Sequence, residues 1–383
     1  MATMSGTAVI AGVGRTAFSR QSGRTVLELA TEAALGAIAD AGISVDEIDA
    51  IATYHDNDTA SPSEVASDLG AGPLTWSQSV VGGGSEMCAL IGTAADVVTD
   101  GRASHVLIYR AMNGASGVRM GDYGTGSASG NRQFMAPYGY ATPVEVAAMA
   151  AARHMAEYGT TREHLGSIAV TMRGNAQRNR GAVMNGRPMT MDDYLRCRPI
   201  AEPLHLLDCC LETDGAVAIV ISLPDDATSR SIVEIRSWAY GSGPHSVVPY
   251  EKYPDLTAMF PVWLRDQLFE RAGVGPADID VACLYDAFTY SVLSQIEDFG
   301  FCDKGLGGEF AGSGEIAAGG ALPINPNGGL LSEGYIHGLN NVAEAVLQLR
   351  GEASDRQVPD AHLALVSGYS FTRGSALILG SAA

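Results

Sequence analysis

Two short segments each place a tyrosine where proton-transfer chemistry usually employs a more labile group. One reads Gly328-Gly329-Leu330-Leu331-Ser332-Glu333-Gly334-Tyr335-Ile336-His337-Gly338, a glycine-rich loop leading into a helix-like stretch. The other, Leu284-Tyr285-Asp286-Ala287-Phe288, closes an apolar, strand-like run. A phenol ordinarily titrates near pH ~10, so it holds and donates a proton at neutral pH, and it accepts one only when its neighbours lower that value. Two such groups point to proton transfer at oxygen without a covalent nucleophile. Asp286 follows Tyr285 directly, and strand alternation aims it at the opposite face. His337, two residues beyond Tyr335, reads as a helix cap or a surface histidine. Taken singly, each tyrosine also fits a packed core aromatic.

Elements that repeat must position these residues. Residues 41–51 (Ala-Gly-Ile-Ser-Val-Asp-Glu-Ile-Asp-Ala-Ile) match 272–282 (Ala-Gly-Val-Gly-Pro-Ala-Asp-Ile-Asp-Val-Ala). Each copy follows an amphipathic helical run, Leu27 to Ile38 or Val262 to Arg271, and leads into an apolar strand. Ala-Gly supplies the helix stop, and Asp49 or Asp280 precedes the strand. A second correspondence follows. Ser85 to Asp100 reads as a helix ending at Gly101 before the strand His105 to Tyr109; Tyr335 to Arg350 reads as a helix ending at Gly351 before His362 to Val366. Alternating helices and apolar strands predict an α/β fold with buried sheets. Two similar halves are expected, 1–230 and 231–383. A polar excursion at about 113–210 reads equally as a functional insertion or as a capping or oligomer-facing subdomain. It holds a helix from Thr142 to Tyr158 and the arginine-rich run Arg173 to Arg198, suited to a phosphate or to solvent.

The 383 residues carry a net charge of −19 with 46% hydrophobic content, which predicts a compact soluble protein and disfavours nucleic acid and anionic membrane as partners. No stretch reaches the roughly 18 apolar residues of a membrane span. Cys88, Cys197, Cys209, Cys210, Cys283 and Cys302 are scattered without paired spacing, which reads as reduced thiols in a cytoplasmic protein.

With Leu206 to Ile221 (Leu-Leu-Asp-Cys-Cys-Leu-Glu-Thr-Asp-Gly-Ala-Val-Ala-Ile-Val-Ile), these motifs make the chain resemble the thiolase superfamily over nearly its whole length, in the sterol-carrier-protein branch. The resemblance implies duplicated βαβαβαββ halves in a five-layer α/β/α/β/α sandwich, and a homodimer joined through a strand near 74–81. The departures matter more. Where thiolases carry Gly-His-Pro, this chain has Gly334-Tyr335-Ile336, and the strand-end motif begins with Tyr285 instead of His or Asn. The nucleophilic cysteine position falls at Ser85, after Gly82-Gly83-Gly84. The glycine-rich turn Ser367 to Ser375 has no cysteine. Cys88, one helical turn further on, restores a nucleophile only through a register slip, and its Met87-Cys88-Ala89-Leu90 setting reads as core.

Tyrosine at both histidine positions resembles a narrower group, the lipid-transfer-protein-type aldolases of steroid side-chain degradation. These cleave a β-hydroxyacyl-CoA to a ketosteroid and a short acyl-CoA such as propionyl-CoA, together with a small partner that has a zinc ribbon and an OB-fold barrel. The resemblance implies Tyr285 and Tyr335 as the catalytic pair, with Asp286, Gly334, Gly338 and Ser85 in support. Aldolases otherwise use a lysine Schiff base or a metal as electron sink. The only lysines, Lys252 and Lys304, sit in polar stretches, and the eight histidines show no metal-ligand spacing. A thioester enolate needs neither if backbone N–H groups and neutral donors hold its oxygen. No cofactor is expected, CoA arriving as part of the substrate and zinc only in the partner. Two alternatives stand beside the lyase: a non-catalytic acyl-CoA- or lipid-binding protein, and an acyltransferase working through Cys88.

Overall fold

The computed structural model describes residues 7–56, 58–119, 132–140, 142–224, 232–243 and 255–381. Lys252 lies outside them. Eleven strands run β1 (Val9–Arg15), β2 (Ala50–His55), β3 (Trp76–Val81), β4 (His105–Asn113), β5 (Pro199–Ala201), β6 (Leu204–His205), β7 (Asp214–Ser222), β8 (Val233–Ser242), β9 (Val281–Cys283), β10 (Leu363–Ser370) and β11 (Arg373–Ser381). The helices of the first part are α1 (Val26–Ala41), α2 (Pro62–Leu69), α3 (Met87–Thr99), α4 (Arg132–Met135), α5 (Pro143–Tyr158), α6 (Arg162–Gln177) and α7 (Met191–Leu195). Those of the second are α8 (Arg265–Ala272), α9 (Thr289–Asp298), α10 (Gly307–Gly312), α11 (Gly329–Ser332) and α12 (Leu339–Leu349).

Strand pairing repeats itself. The order β3-β2-β4-β7-β1 joins β8-β11-β10-β9 through a short antiparallel contact of Val9 and Ile10 with Glu234 and Val233. In the first set β2 pairs parallel with β4, β4 antiparallel with β7, and β7 antiparallel with β1. In the second, β9 pairs parallel with β10, β10 antiparallel with β11, and β11 antiparallel with β8. Ile324 bridges Ala282 in parallel, where β3 stands beside β2 in the first set. The matched peptides also do matched work. Gly42 and Gly273 end α1 and α8 in left-handed conformations. Asp49 accepts the N–H groups of Ser104 and His105 at the start of β4, and Asp280 those of His362 and Leu363 at the start of β10.

The layers follow from which faces are apolar. Leu29, Ala30, Ala33, Ala34, Ala37 and Ile38 form one stripe of α1, buried against β1, β4 and β7. Helix α8 covers β8 and β11 on the far side. Between the two sets of strands lie α3 and α12, each touching both, and each buried on nearly every face. The result is the five-layer α/β/α/β/α sandwich. Among the described residues no helix is long and apolar enough to cross a membrane.

Element boundaries moved where backbone conformation overrode hydrophobic pattern. The helix expected from Tyr335 starts only at Leu339, because His337 and Gly338 both adopt positive φ (47° and 87°) and break the helical run. The helix expected from Ser85 is a 3₁₀ turn over Gly83–Glu86, with α3 beginning at Met87. Likewise Val262 to Arg271 divides into a 3₁₀ turn, Phe260–Trp263, and α8. The edge strand expected at 74–81 begins at Trp76. The described part of the excursion is mainly helical, with the short hairpin β5–β6 against α5, and α6 packs on α9, α10 and α11. Within it, His154 on α5 is buried with Nε2 2.9 Å from Glu297.

Asp280→Ala removes one acceptor from two N–H groups at a strand start. A loss of about 1–3 kcal/mol is expected in chemical denaturation, with the pairing of β9 and β10 the first to open.

Candidate functional site

The two tyrosines are brought together. Strand β9 ends at Cys283, and the chain turns so that the Tyr285 N–H donates to Ser367 Oγ at 2.9 Å. The Tyr285 carbonyl accepts from Ser291 Oγ and Gln295 Nε2, and Ser367 donates in turn to Gln295 Oε1. Tyr335 lies in the loop between α11 and α12, fastened by Thr213. The hydroxyl of Thr213 accepts the Tyr335 N–H at 2.8 Å and donates to the Tyr335 carbonyl at 3.1 Å. Both backbones are thereby set independently of the phenols.

The phenol oxygens are 2.7 Å apart. The rings meet edge-on, with centroids 6.2 Å apart and an interplanar angle of 78°, an arrangement favoured by the aromatic quadrupole. Tyr285 and Tyr335 are only 3% and 6% exposed, so the hydrogen bond is shielded from competing water. Burial first, then the neighbouring Tyr335, raises the Tyr285 phenol well above its ordinary range. The Tyr285 phenol is therefore protonated at neutral pH.

Glycines press against this pair because nothing larger fits. A Cβ on Gly84 would lie 2.2 Å from Tyr285 Cε2 and 2.5 Å from its phenol oxygen. A Cβ on Gly338, at φ 87°, would lie 2.8 Å from Tyr285 Cδ2. Gly84 precedes α3 and Gly338 is the N-cap of α12, so both central helices begin at the Tyr285 ring. Gly334 faces Phe18, and its carbonyl accepts from Asn340 Nδ2 at 3.1 Å.

The supporting residues divide. As strand alternation requires, Asp286 points away from the phenols. Its carboxylate accepts the N–H groups of Leu330 (2.8 Å) and Leu331 (3.1 Å) at the start of α11. Full burial pushes its pKa up to about 7 despite those two bonds. Ser85 makes no hydrogen bond to either tyrosine; its hydroxyl donates to the Gly82 carbonyl at 2.7 Å, inside its own turn. Cys88 is a core thiol with Sγ 3.6 Å from the Val366 carbonyl, and burial raises its pKa far above a reactive range. His337 is neither a surface residue nor a helix cap. It is 3% exposed, with its ring 5.2 Å from that of Tyr335.

Sequence reasoning missed four groups. Thr213 fastens Tyr335, and Ser367 with Gln295 fastens Tyr285. Glu333 accepts from Asn179, Asn327 and Asn340 and pairs with Arg15, anchoring the chain just before Gly334. Arg110, fully buried, donates from Nε to His337 Nδ1 at 3.1 Å. A visible signal existed for Arg110: it interrupts the apolar run His105 to Met112 in a strand buried on both faces.

A cavity of about 600 Å³ adjoins the site. Its walls are mostly apolar, including Val144, Met189, Leu207 and Phe288, with Arg20, Arg119 and Arg173 at polar points. Arg173 thus leaves the expected arginine run to enter the cavity wall, where its Nε donates to Ser332 Oγ at 3.1 Å. The cavity reaches Cys210, Leu331 and Ser332 but is lined by neither phenol. The backbone of that wall is tied to both motifs, Cys210 N–H to the Ala287 carbonyl and Leu211 N–H to the Leu330 carbonyl.

Residues 250–381 match the thiolase C-terminal domain-like family. The chain is 41% identical to the 17-hydroxy-3-oxo-4-pregnene-20-carboxyl-CoA lyase of Mycobacterium tuberculosis, over 98% of this chain and 100% of that protein. It is also 41% identical to the steroid side-chain-cleaving aldolase of Thermomonospora curvata, over the full length of both. Its fold matches a solved Ltp2-ChsH2(DUF35) aldolase with a TM-score of 0.92, 41% identity and 99% coverage of each chain.

The raised Asp286 pKa fixes the sign of a pH effect. The carboxyl titrates near 3.8 when free and at about 7 in the fold, so the folded state binds the extra proton between those values. Stability contributed by Asp286 is therefore present at acid pH and lost as pH rises through about 7. Melting temperatures of the native protein and Asp286→Asn, compared from pH 5 to 8, are expected to shift in the variant's favour with rising pH.

Proposed function

The chain belongs to the thiolase superfamily, in the branch of steroid side-chain-cleaving aldolases, and we propose that Tyr285 and Tyr335 perform its carbon–carbon bond cleavage as a hydrogen-bonded proton relay. The substrate is a β-hydroxyacyl-CoA bearing a steroid or a similarly bulky group. The products are a ketone and a shortened acyl-CoA, propionyl-CoA for a branched three-carbon loss. The observation that carries this reading is the 2.7 Å contact between the two phenol oxygens.

The relay explains how a pair that includes a phenol with a raised pKa can act as base and acid. The substrate hydroxyl passes its proton to one phenol oxygen while that phenol's own proton moves to the other. The O–H bonding pair becomes the π bond of the new ketone, and the Cα–Cβ pair is released into the thioester as an enolate. In the same movement the second phenol gives its own proton to the α-carbon, so that neither oxygen ever holds two protons. One proton enters the pair and one leaves, so neither tyrosine carries a full charge in the resting enzyme and burial imposes no ionisation penalty. Negative charge collects instead on the thioester oxygen, near the N-terminal ends of α3 and α12. This chemistry needs no resident cofactor.

The cavity suits the remainder of an acyl-CoA: apolar walls for hydrocarbon, and Arg20, Arg119 and Arg173 for phosphate. For its contents to meet the phenols, the wall at Cys210, Phe288 and Leu331 must part. The same reading includes a small zinc-ribbon and OB-fold partner, a second protein being named in the solved Ltp2-ChsH2(DUF35) aldolase, and a cytoplasmic location, consistent with six unpaired cysteines. It also includes a homodimer. Strand β3 pairs with β2 on one side only, and its residues are half-buried or exposed, with Val81 72% exposed. Such an open edge is a template for pairing with a second copy. Sedimentation at micromolar concentration is expected to give a dimer, and a monomer refutes pairing through β3.

Tyr285→Phe and Tyr335→Phe each delete one oxygen of the relay and keep the ring. Each is expected to lower kcat by about 10²–10⁴ with little change in melting temperature. The assay follows ketone and acyl-CoA release from a β-hydroxyacyl-CoA steroid in the presence of the partner. Variants that retain the native rate overturn the tyrosine assignment.

A further inference from the structure

His337 is held in one protonation state by chemistry alone. Arg110 Nε is a donor with no acceptor capacity, and it points at His337 Nδ1 from 3.1 Å. Nδ1 must therefore present its lone pair, and the single ring proton of neutral imidazole must reside on Nε2. A doubly protonated ring would set two N–H groups against each other in a fully buried place. Arg110 cannot turn away freely: its Nη1 also donates to the carbonyls of Asp58 (2.8 Å) and Ala111. Burial, Arg110 and His55 all act in the same direction, disfavouring the imidazolium.

Two further observations mark the residue as more than packing. Its backbone is left-handed (φ 47°), a strained choice for a non-glycine residue, and it is held there partly by the Tyr54 hydroxyl, which donates to the His337 carbonyl at 3.0 Å. The ring is 3% exposed and meets that of Tyr335 edge-on, with centroids 5.2 Å apart at 87°, so the nitrogen not engaged by Arg110 belongs to a ring that packs on a reacting phenol. An N–H donor fixed in orientation beside the reacting phenols is placed to meet a ligand oxygen there.

We propose that His337 is a neutral catalytic donor whose Nε2–H hydrogen-bonds the thioester oxygen as the carbon–carbon bond breaks, with Arg110 as the positioning residue that fixes the tautomer. His337 keeps its proton throughout; the proton that reaches the α-carbon comes from the phenols. This inference rests on the retro-aldol reading above.

The enolate can be tested apart from cleavage. In deuterated water the enzyme is expected to exchange the α-hydrogens of the product acyl-CoA, a reaction that passes through the same enolate and is read by mass spectrometry. Asparagine tolerates a left-handed backbone, so His337→Asn keeps the loop while its shorter amide falls short of the oxygen. Exchange and cleavage kcat are expected to fall together by about 10²–10³, with KM and melting temperature held. Arg110→Met is expected to lose part of that rate by freeing the tautomer. Exchange and cleavage that both survive within about twofold in a folded His337→Asn overturn the proposal. Nitrogen NMR of the native protein with labelled histidine supplies a check independent of any variant. The ring proton is expected on Nε2, and finding it on Nδ1 overturns the assignment. Failure of the underlying retro-aldol reading looks different: the native enzyme itself then cleaves no β-hydroxyacyl-CoA.

Discussion

The carboxylate of Asp286 ties the two halves of the candidate site into one object. It follows Tyr285 directly, and the alternation of extended backbone sends the two side chains in opposite directions. One meets the phenol of Tyr335; the other accepts the N–H groups of Leu330 and Leu331, in the segment that carries Tyr335. A buried carboxylate is costly unless its oxygens are satisfied, and here both are. Glu333 repeats the device at the other end of the segment, with three asparagine amides and Arg15 around it. Two motifs fifty residues apart are thus fixed by anions that take no part in the proposed chemistry.

The duplicated architecture is used asymmetrically. Both halves send a central helix to the site, α3 behind Gly84 and α12 behind Gly338, and both glycines press on Tyr285 at Cε2. The second half supplies the tyrosines and His337. The first adds Gly84, Tyr54, Arg110 and Thr213 to the groups that constrain them, beside Ser367, Gln295 and Gly338 of the second. A site built at such a junction draws its geometry from the packing of the whole sandwich, which holds the 2.7 Å contact in place.

Much of the fold was legible because it rests on local rules. The repeated Ala-Gly and Ile-Asp peptides announced helix stops and strand starts, and each does that work at both places, down to Asp49 and Asp280 binding the next parallel strand. Tyr285 and Tyr335 were legible as types at motif positions. The role of His337 was not, because its burial and left-handed backbone come from Arg110 and Tyr54, both more than two hundred residues away. Ser85 shows the converse: counting back along a helix reached the right turn, but the glycines ahead of it produce a 3₁₀ turn that folds its hydroxyl inward.

The sequence by itself determined the period of the elements, the two-fold repetition, the missing nucleophile and the pair of phenols. These are properties of neighbouring residues and of chemistry carried by single side chains. Only the tertiary structure decided that the phenol oxygens touch, that the histidine beside them is buried with Nδ1 accepting from Arg110, and that Cys88 is sealed in the core. Those outcomes are set by burial and by hydrogen bonds between distant segments, which local pattern does not encode.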